Sequence, residues 1–208
     1  MVPFETAWVV EPSAQASADH VAVFPLGYAV VLVVADGAGN SRRGAEAAAA
    51  VVRAVQDATA QRTDLSRPEA WSHVLAQCDG LLAPTGGEST AVVACVTAER
   101  VIGASVGDSE LWWVQDGGHT VLTGNQHRKP LLGSGEAIPV PFEFPWNSGV
   151  LLAASDGLFK CADVGRIRAL ASGTDLSAAA RALAALPRLA SGGLPDDVGL
   201  VLCRRMPS

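Results

Sequence analysis

Charge is scarce in this chain: Asp, Glu, Lys and Arg together make up 17% of its 208 residues. What charge there is leans acidic, with 21 Asp and Glu against 15 Lys and Arg and a net charge of -6. That sign excludes a protein whose main partner is nucleic acid or an anionic membrane surface, because both are held through basic patches. Long hydrophobic runs are missing as well. The longest apolar stretch, 29–35 with Tyr28 in front, falls far short of the ~18 residues a spanning helix needs, so no membrane segment is expected. The first ten residues carry Glu5 and neither Lys nor Arg, so the basic start of a secretory signal is lacking and a cytoplasmic location is expected. Cysteines number four (Cys78, Cys95, Cys161, Cys203), with no C-x-x-C pair and apolar neighbours around each. They are expected to be buried free thiols, with no zinc or disulfide role. Apolar side chains, by contrast, are plentiful at 49%, which excludes a disordered chain and leaves a large core for few charges to cover. The whole chain, 1–208, reads as one domain.

The valine-rich segment 28–35 has the continuous apolar character of a strand buried on both faces, and it stops at Asp36-Gly37-Ala38-Gly39. Helical spacing follows over 41–60, where Ala47, Val51, Val55 and Ala58 fall on one face, and Pro68 opens a second helix carrying Trp71, Val74, Leu75 and Cys78. β-Branched residues return over 89–96 and 100–106. The stretch 111–114 then meets the hairpin signal Gln115-Asp116-Gly117-Gly118 before 119–122, so a meander of four antiparallel strands is expected. If 111–114 is a strand, Trp112 and Trp113 point to opposite faces. Segment 124–149 holds four prolines and four glycines without periodicity and reads as a long surface loop of the functional kind. A strand over 150–154, helices over 164–171 and 176–189, and a closing strand over 198–203 complete the chain. Strands and helices come in clusters, without βαβ alternation, which points to an α+β protein.

Four aspartates lie where apolar strands begin or end: Asp36, Asp108, Asp156 and Asp196. Desolvating one carboxylate at a sheet end costs several kcal/mol, and gathering four adds repulsion unless cations bind between them. Aspartates without histidine or cysteine companions are hard oxygen ligands, suited to Mg²⁺ or Mn²⁺ and not to zinc or copper. The plainer alternative is that each Asp-Gly simply starts a turn.

The ordered set of motifs resembles the metal-dependent protein phosphatases, the PP2C or PPM family. It consists of Asp36-Gly37-Ala38-Gly39, Glu88-Ser89-Thr90-Ala91, Val106-Gly107-Asp108-Ser109, Ser155-Asp156-Gly157-Leu158 and Asp196-Asp197-Val198. The resemblance implies a four-layer αββα sandwich of two antiparallel sheets flanked by helices. It implies a binuclear Mn²⁺ or Mg²⁺ centre in which Asp36 bridges both ions, Gly37 lends its carbonyl, and Asp156 and Asp196 complete the set. Asp19 falls where the family has an acidic pair acting through metal waters, its partner position being Ala18. Asp108 matches a residue that can hold a third ion together with Asp156. A water bridging two such cations loses a proton near neutral pH, and no serine or cysteine nucleophile is needed.

By this resemblance the chain is a signalling hydrolase that removes phosphate from serine and threonine of proteins and so opposes a Ser/Thr kinase, with segment 124–149 as its flap. Departures from the pattern stand beside it. The arginine that many members use to grip phosphate is Ala14 here. The second glycine of D-G-x-G-G is Asn40, its variable position is Ala38, and the arginine often found after Val-Gly-Asp-Ser is Glu110. Arg42 and Arg43, just after the Asp36 turn, are candidates for the missing phosphate contact, as are His127, Arg128 and Lys129 in the flap. His20 adjoins Asp19. The alternative reading is a catalytically inactive relative that binds phosphoprotein as a regulatory module.

Overall fold

Apolar runs of five to eight residues become strands here, and alternation along each strand decides which layer every side chain enters. The structure, a computed structural model, describes residues 4–39, 42–61, 65–115 and 117–206. Two five-stranded antiparallel sheets stack face to face. One has the order β1-β10-β9-β6-β7 and the other β2-β3-β4-β5-β8. The strands are β1 (Phe4–Glu11), β2 (Asp19–Leu26), β3 (Ala29–Asp36), β4 (Ala91–Val96), β5 (Arg100–Val106), β6 (Glu110–Gln115), β7 (Gly118–Val121), β8 (Val140–Pro145), β9 (Val150–Ala154) and β10 (Val198–Arg205). Helices α1 (Arg42–Ala60) and α2 (Pro68–Leu82) cover the second sheet. Helices α4 (Val164–Ala171) and α5 (Leu176–Ala185) cover the first, and the single turn α3 (Asp156–Phe159) follows β9. This is the expected αββα sandwich. Among the described residues no helix is long and apolar enough to cross a membrane.

β3 shows why its sequence is continuous rather than alternating. Val30, Leu32 and Val34 enter the core between the sheets, while Val31, Val33 and Ala35 pack under α1 and α2. β9 divides likewise, with Leu151 and Ala153 between the sheets and Val150, Leu152 and Ala154 beneath the outer helices. Each such aliphatic side chain, fully buried, contributes ~1.5–3 kcal/mol. Pro68 stands in the first turn of α2, where its missing N–H costs nothing. Asp163 and Asp175 cap α4 and α5 by accepting from the backbone N–H of Arg166 (2.9 Å) and Ala178 (2.8 Å).

Several expectations are corrected. The four-strand meander is two hairpins in different sheets: β4 pairs with β5, whereas β6 pairs with β7 and β9. The chain crosses between layers at Gly107, whose φ of +97° is open chiefly to glycine. The β6–β7 turn sits where Gln115-Asp116-Gly117-Gly118 placed it, with Gln115 opposite Gly118; Asp116 lies outside the described residues. Segment 124–149 is not loop throughout, because 140–145 forms edge strand β8 and Trp146 is buried. α5 ends at Ala185 rather than reaching residue 189. Cys78, Cys95 and Cys203 are buried, and burial raises their thiols to about 11, 11 and 12; Cys161, just past α3, is exposed. Trp112 and Trp113 do face opposite layers, Trp112 lying under the outer helices with its ring stacked on Phe159 and His119.

Candidate metal centre

Antiparallel pairing brings every aspartate-bearing strand end to the same edge of the sandwich. Asp19 opens β2 directly opposite Asp36, which closes β3. Asp108 lies between β5 and β6, Asp156 follows β9, and Asp196 precedes β10, whose Leu200 faces Ala154. All of these but Asp19 border a cleft of about 530 Å³ lined by Asp36, Gly37, Asp108, Asp156, Asp196 and Asp197, with Arg128 and Lys129 on its rim. Asp19 sits behind Asp36, 4% exposed, and Ser155 donates to its Oδ2 at 2.7 Å.

Small residues make these approaches possible. A Cβ on Gly37 would fall 2.3 Å from the Gly44 backbone, and one on Gly157 only 2.0 Å from the Asp197 carbonyl oxygen. The first contact lets α1 close over the Asp36 turn, and the second lets the 196–197 segment cross α3 beside Asp156.

Motif residues without a carboxylate hold the backbone that carries one. Thr90 N–H donates to the Asp36 carbonyl at 2.8 Å, as does the Ser89 hydroxyl at 3.0 Å, and Asp36 N–H donates to Thr90 Oγ1 at 3.2 Å. Thr90 Oγ1 also meets Ser109 Oγ at 2.6 Å, tying the Asp36 end of one sheet to the Asp108 crossing. Asp197 serves the opposite wall. Its carboxylate accepts from the N–H and hydroxyl of Ser13, the Ser17 hydroxyl and Ala18 N–H, all within 3.0 Å, and so orders the segment leading into Asp19.

Electrostatics separate the carboxylates. Burial pushes Asp36 up to about 9, reinforced by the charges of Asp19 and Asp156, by its hydrogen bond with Asp19 and by Asp196. Burial likewise raises Asp19 to about 6 against the Ser155 bond, and raises Asp156 against its bond from Lys160. At Asp197 burial alone would raise the pKa, but the four hydrogen bonds outweigh it and hold the group below the ordinary carboxylate range.

Among the described residues, no three His, Cys, Asp or Glu side chains close on a common point as a ready-made metal site. The donor chemistry nevertheless fits hard divalent cations: the set is all oxygen, and the carboxylate crowding that raises Asp36 is of the kind a cation relieves.

Arg42 and Arg43 are not brought to the cleft. Helical spacing turns Arg42 to Glu46 (2.8 Å) on an exposed face, and the Arg43 guanidinium lies beside Gly86. Ala14 is exposed and does not line the cleft, His20 approaches only the Ala18 carbonyl at 3.5 Å, and Asn40 lies outside the described residues. The basic residues that line the cleft are Arg128 and Lys129, and Lys160 reaches it through Asp156. Sequence reasoning missed Asp79. Buried in α2, it accepts from the backbone N–H of Gly133 (2.7 Å), Gly135 (3.0 Å) and Ala137 (3.1 Å), while Leu132 pairs with Ser89 and is fully buried. The base of the segment read as a surface loop and flap is therefore clamped. The glycines of 133–135 were the available signal, since tight turns with free N–H groups need an acceptor.

The fold is shared with solved phosphatases. A bacterial serine phosphatase superposes at TM-score 0.85 and 17% identity, covering 99% of both chains. Stp1 of Staphylococcus aureus, a serine/threonine phosphatase, gives 0.84 and 18%, covering 100% of this chain and 96% of that one. The catalytic domain of the serine threonine protein phosphatase PstP, solved with 2 manganese ions, gives 0.83 and 18%, covering 98% and 99%. A comparison with curated proteins finds no match. The family model for Stage II sporulation protein E (SpoIIE) matches residues 27–206, and with its PP2C-type sandwich the chain belongs to that family.

Proposed function

We propose that the chain is a protein phosphatase that hydrolyses phosphoserine and phosphothreonine, using Mn²⁺ or Mg²⁺ held by Asp36, Asp156 and Asp196 with the Gly37 carbonyl. What supports this reading most is the convergence of aspartates from both sheets on one cleft that also has a basic rim. When bound, such a pair of cations acidifies the attacking water and offsets charge on the phosphoryl oxygens. The chain's own residues do the rest. Asp19 backs Asp36 from within the protein, Ser89 and Thr90 fix the Asp36 backbone, and Arg128 and Lys129 meet the phosphate dianion as it enters. Phosphorylated proteins, the products of a Ser/Thr kinase, are the substrates this architecture suits. We place the protein in the cytoplasm as part of a signalling pathway.

Mn²⁺-dependent release of phosphate from a phosphopeptide panel and from p-nitrophenyl phosphate tests this reading. Hydrolysis of both is expected, with Asp36→Asn inactive. Metal binding without turnover on any substrate would leave the regulatory binding module as the function. Arg128→Ala is expected to raise KM several-fold, on the order of 1 kcal/mol for an exposed charge-assisted contact, with kcat little changed.

A further inference from the structure

The cleft contains a cation that belongs to the chain. Lys160, one turn after Asp156, donates to Asp156 Oδ2, and its Nζ stands 3.7 Å from Asp108 Oδ2. Arg128 Nη2 approaches that same Asp108 oxygen at 3.7 Å. The chain has only two lysines, and both are at this cleft, Lys129 on its lining and Lys160 across the Asp108–Asp156 pair. The carboxylates therefore fall into two groups. Asp36 and Asp19 are hydrogen-bonded to each other and face no Lys or Arg in an ion pair, and Asp196 is likewise without one among the described residues. Asp108 and Asp156 share an ammonium.

We propose that Lys160 is a tethered cation that serves the Asp108–Asp156 pair, limiting the cleft to two divalent ions and excluding a third from its outer side. The inference rests on the metal-centre reading above. Helical spacing makes the arrangement possible, since residues four apart stand on one face and α3 sets Asp156 and Lys160 one above the other. Lysine suits the task, because its ammonium is a compact charge on a flexible stem that spans two carboxylates. A dication against Asp108 Oδ2 would stand beside both the ammonium and the Arg128 guanidinium and be repelled by each. Lys160 engages only Oδ2 of Asp156, leaving Oδ1 to the inner group. Lys160 thus acts as a positioning residue that fixes Asp156 and sets the ion count.

Mn²⁺ binding to the purified full chain, followed by calorimetry and by electron paramagnetic resonance of free Mn²⁺, tests this without reference to turnover. Wild type is expected to bind two ions. Lys160→Gln and Lys160→Met, at an exposed position that tolerates both, are expected to bind three, and Lys160→Gln with Asp108→Asn to return to two. Three ions in the wild type would overturn the proposal while leaving the binuclear reading intact. So would two ions in the Lys160 variants, whether at unchanged or at tighter affinity, the latter meaning that Lys160 competes with the inner ions instead. Fewer than two ions in the wild type would overturn the metal-centre reading and the proposal with it.

Discussion

Asp36 combines two properties that water would never allow together: a carboxyl at the mouth of a cleft and a pKa pushed to about 9 by burial and by Asp19, Asp156 and Asp196. A raised carboxyl stabilises the fold fully below its unfolded value, near 3.8, and that contribution is lost as pH rises through the folded value. For the metal-free protein, Asp19 and Asp36 therefore give a stability that falls from about pH 4, through the range near 6 for Asp19, to about 9 for Asp36. Asp36→Asn removes the larger part of this slope. The metal-free variant is expected to melt several degrees above wild type at pH 8 and to match it at pH 4, about 1 kcal/mol corresponding to ~2–4 °C for a chain of this size. Thermal melts in chelator at the two pH values check this, and equal shifts at both would remove the carboxylate repulsion on which the site reading depends. Asp197 has the opposite sign: its lowered pKa stabilises the fold above the ordinary carboxylate range and is lost in acid. Asp197→Asn keeps the shape but loses acceptors for Ser13, Ser17 and Ala18, and is expected to cost about 2 kcal/mol. Chemical denaturation at pH 7 measures that cost, and a cost near zero would mean that the segment is ordered by other contacts.

Among the elements, the segment between β7 and β8 is where the structure departs furthest from what its composition suggests. Glycine and proline suggest a loose stretch, yet 131–137 is bonded to Ser89, just ahead of β4, and to α2 through Asp79. Arg128 and Lys129 sit on the exposed rim beside this bonded base. Asp79→Ala strands three backbone N–H groups on a largely buried carboxylate site. It is expected to cost about 1.5–3 kcal/mol, the range for hydrogen bonds to a charged group. Its functional effect should appear as faster amide exchange at residues 133–137 and a raised KM for phosphopeptide, because the rim loses its anchored base. Unchanged exchange there would show that Leu132 and its pairing with Ser89 hold the segment alone. The short helix α3 illustrates a complementary point. Four residues would not be stable in isolation; Leu158 buried beneath it and Gly157 against the Asp197 carbonyl keep it in place, and with it the angle between Asp156 and Lys160.

For the molecule as a whole, the proposed metal centre would make metal, protons and folding one linked system. Cations favour ionised Asp36, so Mn²⁺ binding is expected to release protons and the Tm gain from Mn²⁺ to grow between pH 5 and pH 8. A site filled at a hundred times its Kd contributes ~2.7 kcal/mol. Calorimetry in buffers of differing ionisation heat counts those protons, and a Tm gain independent of pH would contradict the linkage. Much of this was legible from the residues in order. The continuous valine run of β3 marked a strand buried on both faces, the alanine face of α1 marked its packing side, and the resemblance of five short motifs to a known family pointed to the strand ends. The strand and the helix face are local properties, set by periodicity and by what a backbone turn permits, so neighbours in sequence suffice to state them. Other features depended on contacts between residues far apart. The meander divided between two sheets because β6 pairs with β9 in the first sheet, Leu111 standing opposite Ala153, 42 residues further along the chain. Arg42 and Arg43 were drawn away from the cleft by the direction in which α1 leaves the Asp36 turn, and Asp79 found its three donors 54 to 58 residues later. Charge made the same distinction most sharply. A carboxylate's type is written in the sequence, but its pKa and its partner, whether a proton shared with Asp19 or the ammonium of Lys160, depend on desolvation and distance, which exist only once both sheets have closed on each other.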